Sequence, residues 1–157
     1  MLVRDDSGQS LIEVALSLML LLIFSMAAMD FGHLFATKLT LQNAVRQAGR
    51  YAITGQCITG LNGTCSVTRY NSVVQTLQNT SIGYLNSSNT TDVSITCTNG
   101  GGGCPNSAGG PGDMVTISVS YPYRFLSPLL AAFFPNRSYT VTVGASFTNE
   151  PFPPSAS

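Results

Sequence analysis

Charge is scarce in this chain. Only 9% of its 157 residues are Asp, Glu, Lys or Arg, where an ordinary soluble domain has about 25%. Seven acids balance seven bases, so no field of one sign draws in nucleic acid or an acidic partner, and a nucleic-acid partner is not expected. His33 is the only histidine. With no Ser/His/Asp arrangement, no telling pair of carboxylates and no cofactor motif, the residues offer no catalytic constellation, and an enzyme is not expected. Proline is absent before Pro105 and cysteine before Cys57. The first fifty or so residues therefore carry neither a helix breaker nor a covalent staple.

What the chain does have is a long apolar run, Leu11 to Met29, with Glu13 as its only charge. A helix spanning a bilayer needs about 20 mostly apolar residues. An ionised group within it costs roughly 2.5–3.5 kcal/mol or more, so Glu13 calls for a partner. A cleavable secretory signal fits poorly. Arg4 is followed by Asp5 and Asp6, and the run exceeds the usual apolar core of such signals. From Gln9 to about Ile53 the residues are mainly good helix formers, with Gly32 and Gly49 as weak points.

Beyond the apolar run the pattern turns amphipathic. Leu34, Leu41, Val45, Ala48 and Ala52 share one face, while Lys38, Gln42, Arg46 and Arg50 fall elsewhere. A second row, Ala28, Gly32, Ala36, Thr40, Ala44, Ala48 and Ala52, repeats every four residues, as small residues do where helices approach closely. Asp30 and His33, three apart, can meet on one face as a polar pair at an interface. Alternatively, Asp30 marks the boundary where the helix leaves lipid.

All four cysteines, Cys57, Cys65, Cys97 and Cys104, follow the apolar run. An even number on one side of a span points to disulfides in an oxidising compartment. Three pairings are possible, of which the local ones, Cys57–Cys65 and Cys97–Cys104, are favoured because each closes a short polar loop. Metal binding is not expected: the spacings are too long for C-x-x-C hooks, and His33 is far away. The cysteines argue for an exported C-terminal part. The basic residues flanking the run, taken alone, favour the opposite orientation.

Three stretches alternate with period two: Val93 to Cys97, Val115 to Tyr121 and Tyr139 to Phe147. They predict an antiparallel sheet laid on the upper part of the helix. Tyr70 to Leu85 predicts a short helix, and Ser127-Pro128 reads as the cap and first position of a helical turn through Phe134. Gly100 to Gly112 reads as a disulfide-pinned loop and the Pro-rich segment after Glu150 as extended or disordered. The fold class is thus α+β, a long N-terminal hydrophobic helix carrying a small antiparallel sheet domain.

Gly8 followed by Glu13 within an apolar helix resembles the type IV pilin processing motif. Gly8-Gln9-Ser10-Leu11-Ile12-Glu13, then Met29-Asp30-Phe31-Gly32-His33, then Leu41 through Ala52, look like the TadE-like pilin-related family of tight-adherence (Flp, type IVc) pilus systems. His33 departs from it, since the family commonly has arginine there.

The resemblance implies that a prepilin peptidase cuts after Gly8, freeing an amine on Gln9 that meets Glu13 of the same or a neighbouring subunit. Glu13 then sets register in a helix bundle. It further implies a leader (1–8), a membrane and filament-core helix (9–53), a head (54–150) and a tail (151–157). Its implied partners are identical or related pilin subunits, an inner-membrane assembly platform and, before assembly, membrane lipid. The chain would reside in the inner membrane with its head exported, then in an extracellular filament. The expected function is that of a structural subunit, major or minor; a non-polymerising anchored adhesin or a pilus-assembly accessory protein is the alternative.

Overall fold

The structure is a computed structural model and describes residues 6–58, 68–86, 93–99, 102–105 and 107–152. Helix α1 runs without interruption over Asp6–Ile53, as the absence of proline allows. Then follow α2 (Arg69–Thr80), β1 (Val93–Asn99), β2 (Gly102–Pro105), β3 (Met114–Arg124), the short α3 (Pro128–Ala131), a 3-10 turn over Pro135–Arg137, and β4 (Ser138–Thr148). The four strands form one sheet in the order β2-β1-β3-β4. β1 is antiparallel to both β2 and β3. The Thr116–Ser146 hydroxyl contact and the Asp113–Asn149 backbone bond run in opposite chain directions, so β4 is antiparallel to β3 as well. The expected α+β architecture is the one observed.

By compactness the chain divides into two units, residues 1–35 with 124–139, and residues 36–123 with 140–157. In the larger unit the core is built by period. Leu41, Ala44, Val45, Ala48 and Ala52 of α1 are fully or almost fully buried at helical spacing, with Val73 and Leu77 of α2. Ile95 and Cys97, then Val115, Ile117 and Val119, then Val141 and Val143 are buried at alternate positions of their strands. Lys38, Arg46 and Arg50 are exposed, which is the division the amphipathic pattern predicts.

Gly49 is a packing glycine. A Cβ there would stand 2.2 Å from a ring carbon of Phe147 on β4. Gly49→Ala should therefore destabilise the unit by about 1–2 kcal/mol, the overpacking cost exceeding alanine's gain of about 1 kcal/mol in helix propensity. Urea unfolding of Gly49→Ala, Phe147→Leu and the double variant checks this. A cycle with no coupling between the two sites would show that the ring and the glycine do not oppose each other.

Two expectations are corrected. The helix predicted to Leu85 stops at Thr80, because Ser81 takes over its last turn. The Ser81 amide bonds the Leu77 carbonyl at 3.0 Å, and its hydroxyl accepts from the Leu85 amide at 3.1 Å. Ile82 then turns out at φ 53° and is exposed. Within the glycine-rich stretch read as a loop, Gly102–Pro105 is a strand, and Cys104 stands opposite Cys97 of β1. Glycine's poor strand propensity is overcome by that covalent cross-link. Of the tail, expected to be extended or disordered, Phe152 lies outside any helix or strand with its ring 4.4 Å from the Arg69 guanidinium, and residues 153–157 lie outside the described residues.

Candidate functional site

Chemistry-bearing residues collect in three places. The first is the start of α1. Gly8, Gln9 and Glu13 lie in continuous helix and are exposed. Gln9 and Glu13, four apart, share a face. A Cβ at Gly8 would meet nothing within 4 Å, so no contact among the described residues requires glycine there. Around them Leu11, Ile12, Val14, Leu16 and the following apolar residues up to Met29 are largely exposed. The helix is long and apolar enough to cross a membrane, and its most apolar window has mean hydropathy 2.4 with none of it buried.

The row of small residues divides in two. Ala44, Ala48 and Ala52 are fully buried in the chain's own core, and are not available to a neighbouring helix. Ala28, Gly32 and Ala36 are exposed, and a Cβ at Gly32 would meet nothing within 4 Å.

The second place is Asp30, in the smaller unit. Its carboxylate is buried and accepts two backbone hydrogen bonds, from Leu126 at 2.8 Å and from Ser127 at 2.9 Å. Ser127 is the N-cap of α3, its hydroxyl accepting from Leu130 while Pro128 follows at the first turn. The carboxylate thus neutralises amides that the strand-to-helix corner leaves unpaired. Sequence reasoning offered Asp30 as a partner of His33 or as a boundary marker, and did not reach these backbone amides 96 and 97 residues away. His33 is exposed. The only signal in the sequence was an acid at the end of an apolar run and, far off, a helix-capping pair.

The third place surrounds Arg69 in the larger unit. Its guanidinium donates to the Ala52 carbonyl at 2.7 Å and to the Gly109 carbonyl, and lies against Phe152. Burial pushes its pKa below the ordinary arginine value, and the Asp113 carboxylate pulls it back up. Asp113 itself accepts from the Gly110 amide at 2.6 Å, and Asn149 donates to the Ala108 and Gly110 carbonyls. The end of α1 is closed in the same place. Gly55, at φ +68°, turns the chain left-handed, its amide bonds Ala52, and the Glu150 amide bonds Ile53.

Cys97 and Cys104 are joined in a disulfide with a Cα separation of 4.9 Å, a normal span for that bond. Cys57 is also disulfide-bonded. Cys65 lies outside the described residues. The Cys97 and Cys104 sulfurs and an Asp113 oxygen fall within 4.8 Å of one another. Bonded to each other, those sulfurs offer no thiolate to a metal.

Among the described residues these features define one exposed apolar helix, long enough to cross a membrane, and α+β structure with buried polar clamps at Asp30 and at Arg69. Residues 8–50 match the family model of the TadE-like proteins, and over this stretch the chain is similar to that family. That likeness covers the N-terminal helix only, and it points toward the Tad pilus. No curated protein and no solved structure matches the chain.

Proposed function

We propose that this protein is a structural pilin-like subunit, major or minor, of a Tad-type surface filament. It is held in the inner membrane by α1 and assembles through that helix after removal of residues 1–8. The observation that carries this is the apolar stretch Leu11 to Met29, left exposed by its own chain around a single carboxylate. Lipid or neighbouring helices must cover it. Ala28, Gly32 and Ala36, exposed and unopposed, supply the close-approach face. Cutting after Gly8 would put an amine on Gln9, one helical turn from Glu13 in the same chain and equally within reach of a staggered neighbour. In either arrangement the pair is favourable only where both charges are matched. The reading assigns no catalysis to the chain. Its partners are other pilin subunits, the prepilin peptidase and the assembly platform.

Gly8 and Glu13 give the test. Gly8→Ala meets no clash and adds about 1 kcal/mol of helix propensity, so failure to mature would report recognition of the scissile bond and not misfolding. Intact mass should show the wild-type chain starting at Gln9 in sheared filaments and Gly8→Ala retained at full length in membranes. Glu13→Ala should be cleaved and inserted normally, yet lose filaments. Leaving an amine unmatched costs about 3 kcal/mol, roughly a hundredfold in each helix contact. A wild-type chain found only uncleaved and only in membranes would overturn the subunit reading in favour of an anchored accessory protein or adhesin.

A further inference from the structure

Residues 124–139 carry apolar surface that the fold does not use. Leu126 is 84% exposed and Phe133 79% exposed. This is a shaped surface, not a ragged loop. The rings of Phe125 and Phe134 stack with centroids 4.5 Å apart, and Phe134 meets Tyr139 edge-on. Two exposed arginines, Arg124 and Arg137, bracket the segment, and it contains no acid.

The level of this surface along α1 is fixed by Asp30, which holds the Leu126 and Ser127 amides. Leu11 to Met29 is nineteen residues, about 28 Å of helix at 1.5 Å per residue, close to the roughly 30 Å hydrocarbon core of a bilayer. Asp30 is the next residue and so falls at the edge of that core. There a notch of about 140 Å³ is lined by Met26, Met29, Leu126 and Pro128, with Asp30 and Ser127. The apolar surface of the segment is thereby continuous with that of the helix.

We infer that residues 125–134 form a second membrane contact, an interfacial foot that enters the lipid boundary beside the span, with Arg124 and Arg137 on anionic headgroups. The inference rests on the reading of α1 as a membrane span. Apolar side chains at the acyl boundary flanked by cations at the phosphates are the arrangement that interfacial anchors use. Asp30 does not oppose it, because its carboxylate is buried and solvated by two backbone amides. The foot would hold the subunit upright at a fixed depth before extraction into a filament.

The chain contains no tryptophan, so Phe133→Trp and Phe24→Trp each place a single probe in the full-length protein. Both are reconstituted in vesicles of phosphatidylethanolamine and phosphatidylglycerol, with and without brominated acyl chains. Tryptophan at 133 should be quenched several-fold by the brominated lipid and shielded from aqueous iodide. Adding Arg124→Gln and Arg137→Gln should reduce that quenching several-fold. Tryptophan at 133 open to iodide and untouched by brominated lipid, with tryptophan at 24 quenched, would overturn the foot and leave the span intact. If tryptophan at 24 also escapes quenching, the span reading fails first. Shielding of position 133 only in assembled filaments would overturn the foot and assign the surface to a neighbouring copy.

Discussion

Replacing Asp30 with alanine should free the corner at Leu126 and Ser127. The carboxylate makes two charge-assisted bonds to backbone amides, one buried and one half-buried, each worth roughly 1.5–3 kcal/mol, and removing it leaves both donors without that acceptor. A local loss of about 3 kcal/mol is expected, which speeds hydrogen exchange at those two amides by roughly 150-fold. Asp30→Asn is the sharper comparison. It keeps the volume and one acceptor oxygen but turns an amide NH2 toward a second donor, so about 2 kcal/mol and a roughly thirtyfold acceleration are expected. Exchange unchanged in both variants would show that the capping turn, and not the carboxylate, holds the segment.

The second large effect belongs to Arg69. One guanidinium ties together three places far apart in the chain: the last turn of α1 through Ala52, the segment at Gly109, and Phe152. Arg69→Leu should cost about 3 kcal/mol, since a buried and a half-buried carbonyl lose a charged donor and the ring loses its cation. For a domain of about 100 residues that corresponds to a fall in Tm of roughly 12–20 °C. Arg69→Lys should recover little of it. A single ammonium cannot reproduce a planar fork that reaches two carbonyls while stacking on an aromatic face. Thermal unfolding of the full chain in detergent measures both. Lysine restoring the wild-type Tm would mean that charge alone suffices.

The uninterrupted α1 was legible because local causes add along a helix: good formers, no proline, and a pattern of period 3.6 in which Leu41, Val45, Ala48 and Ala52 announce their buried face. The alternating strands announced themselves in the same way at Val115, Ile117 and Val119, and Ser127-Pro128 was readable as a cap because capping spans only four residues. The Gly8–Glu13 motif is also a local signal, and it agrees with the family match over residues 8–50.

Local causes ran out at three kinds of place. Gly102–Pro105 has the composition of a loop and is a strand, since its pairing is set by Cys97 and Cys104 and not by propensity. Ile82, apolar and in helical phase, lies outside the helix because the Ser81 hydroxyl offers the backbone a better partner. Gly49 looked like a weak point and is a seat for Phe147.

The sequence by itself determined the long apolar helix, its lone glutamate, the period of each buried face and the capping pair at Ser127-Pro128, all consequences of residues within a few positions of one another. Only the tertiary structure decided which small residues remain free for a neighbour, what Asp30 holds and what Arg69 ties together. Such pairings join groups up to 97 residues apart, and no periodicity encodes them. They form because a buried charge or backbone amide must find a partner wherever the fold brings one.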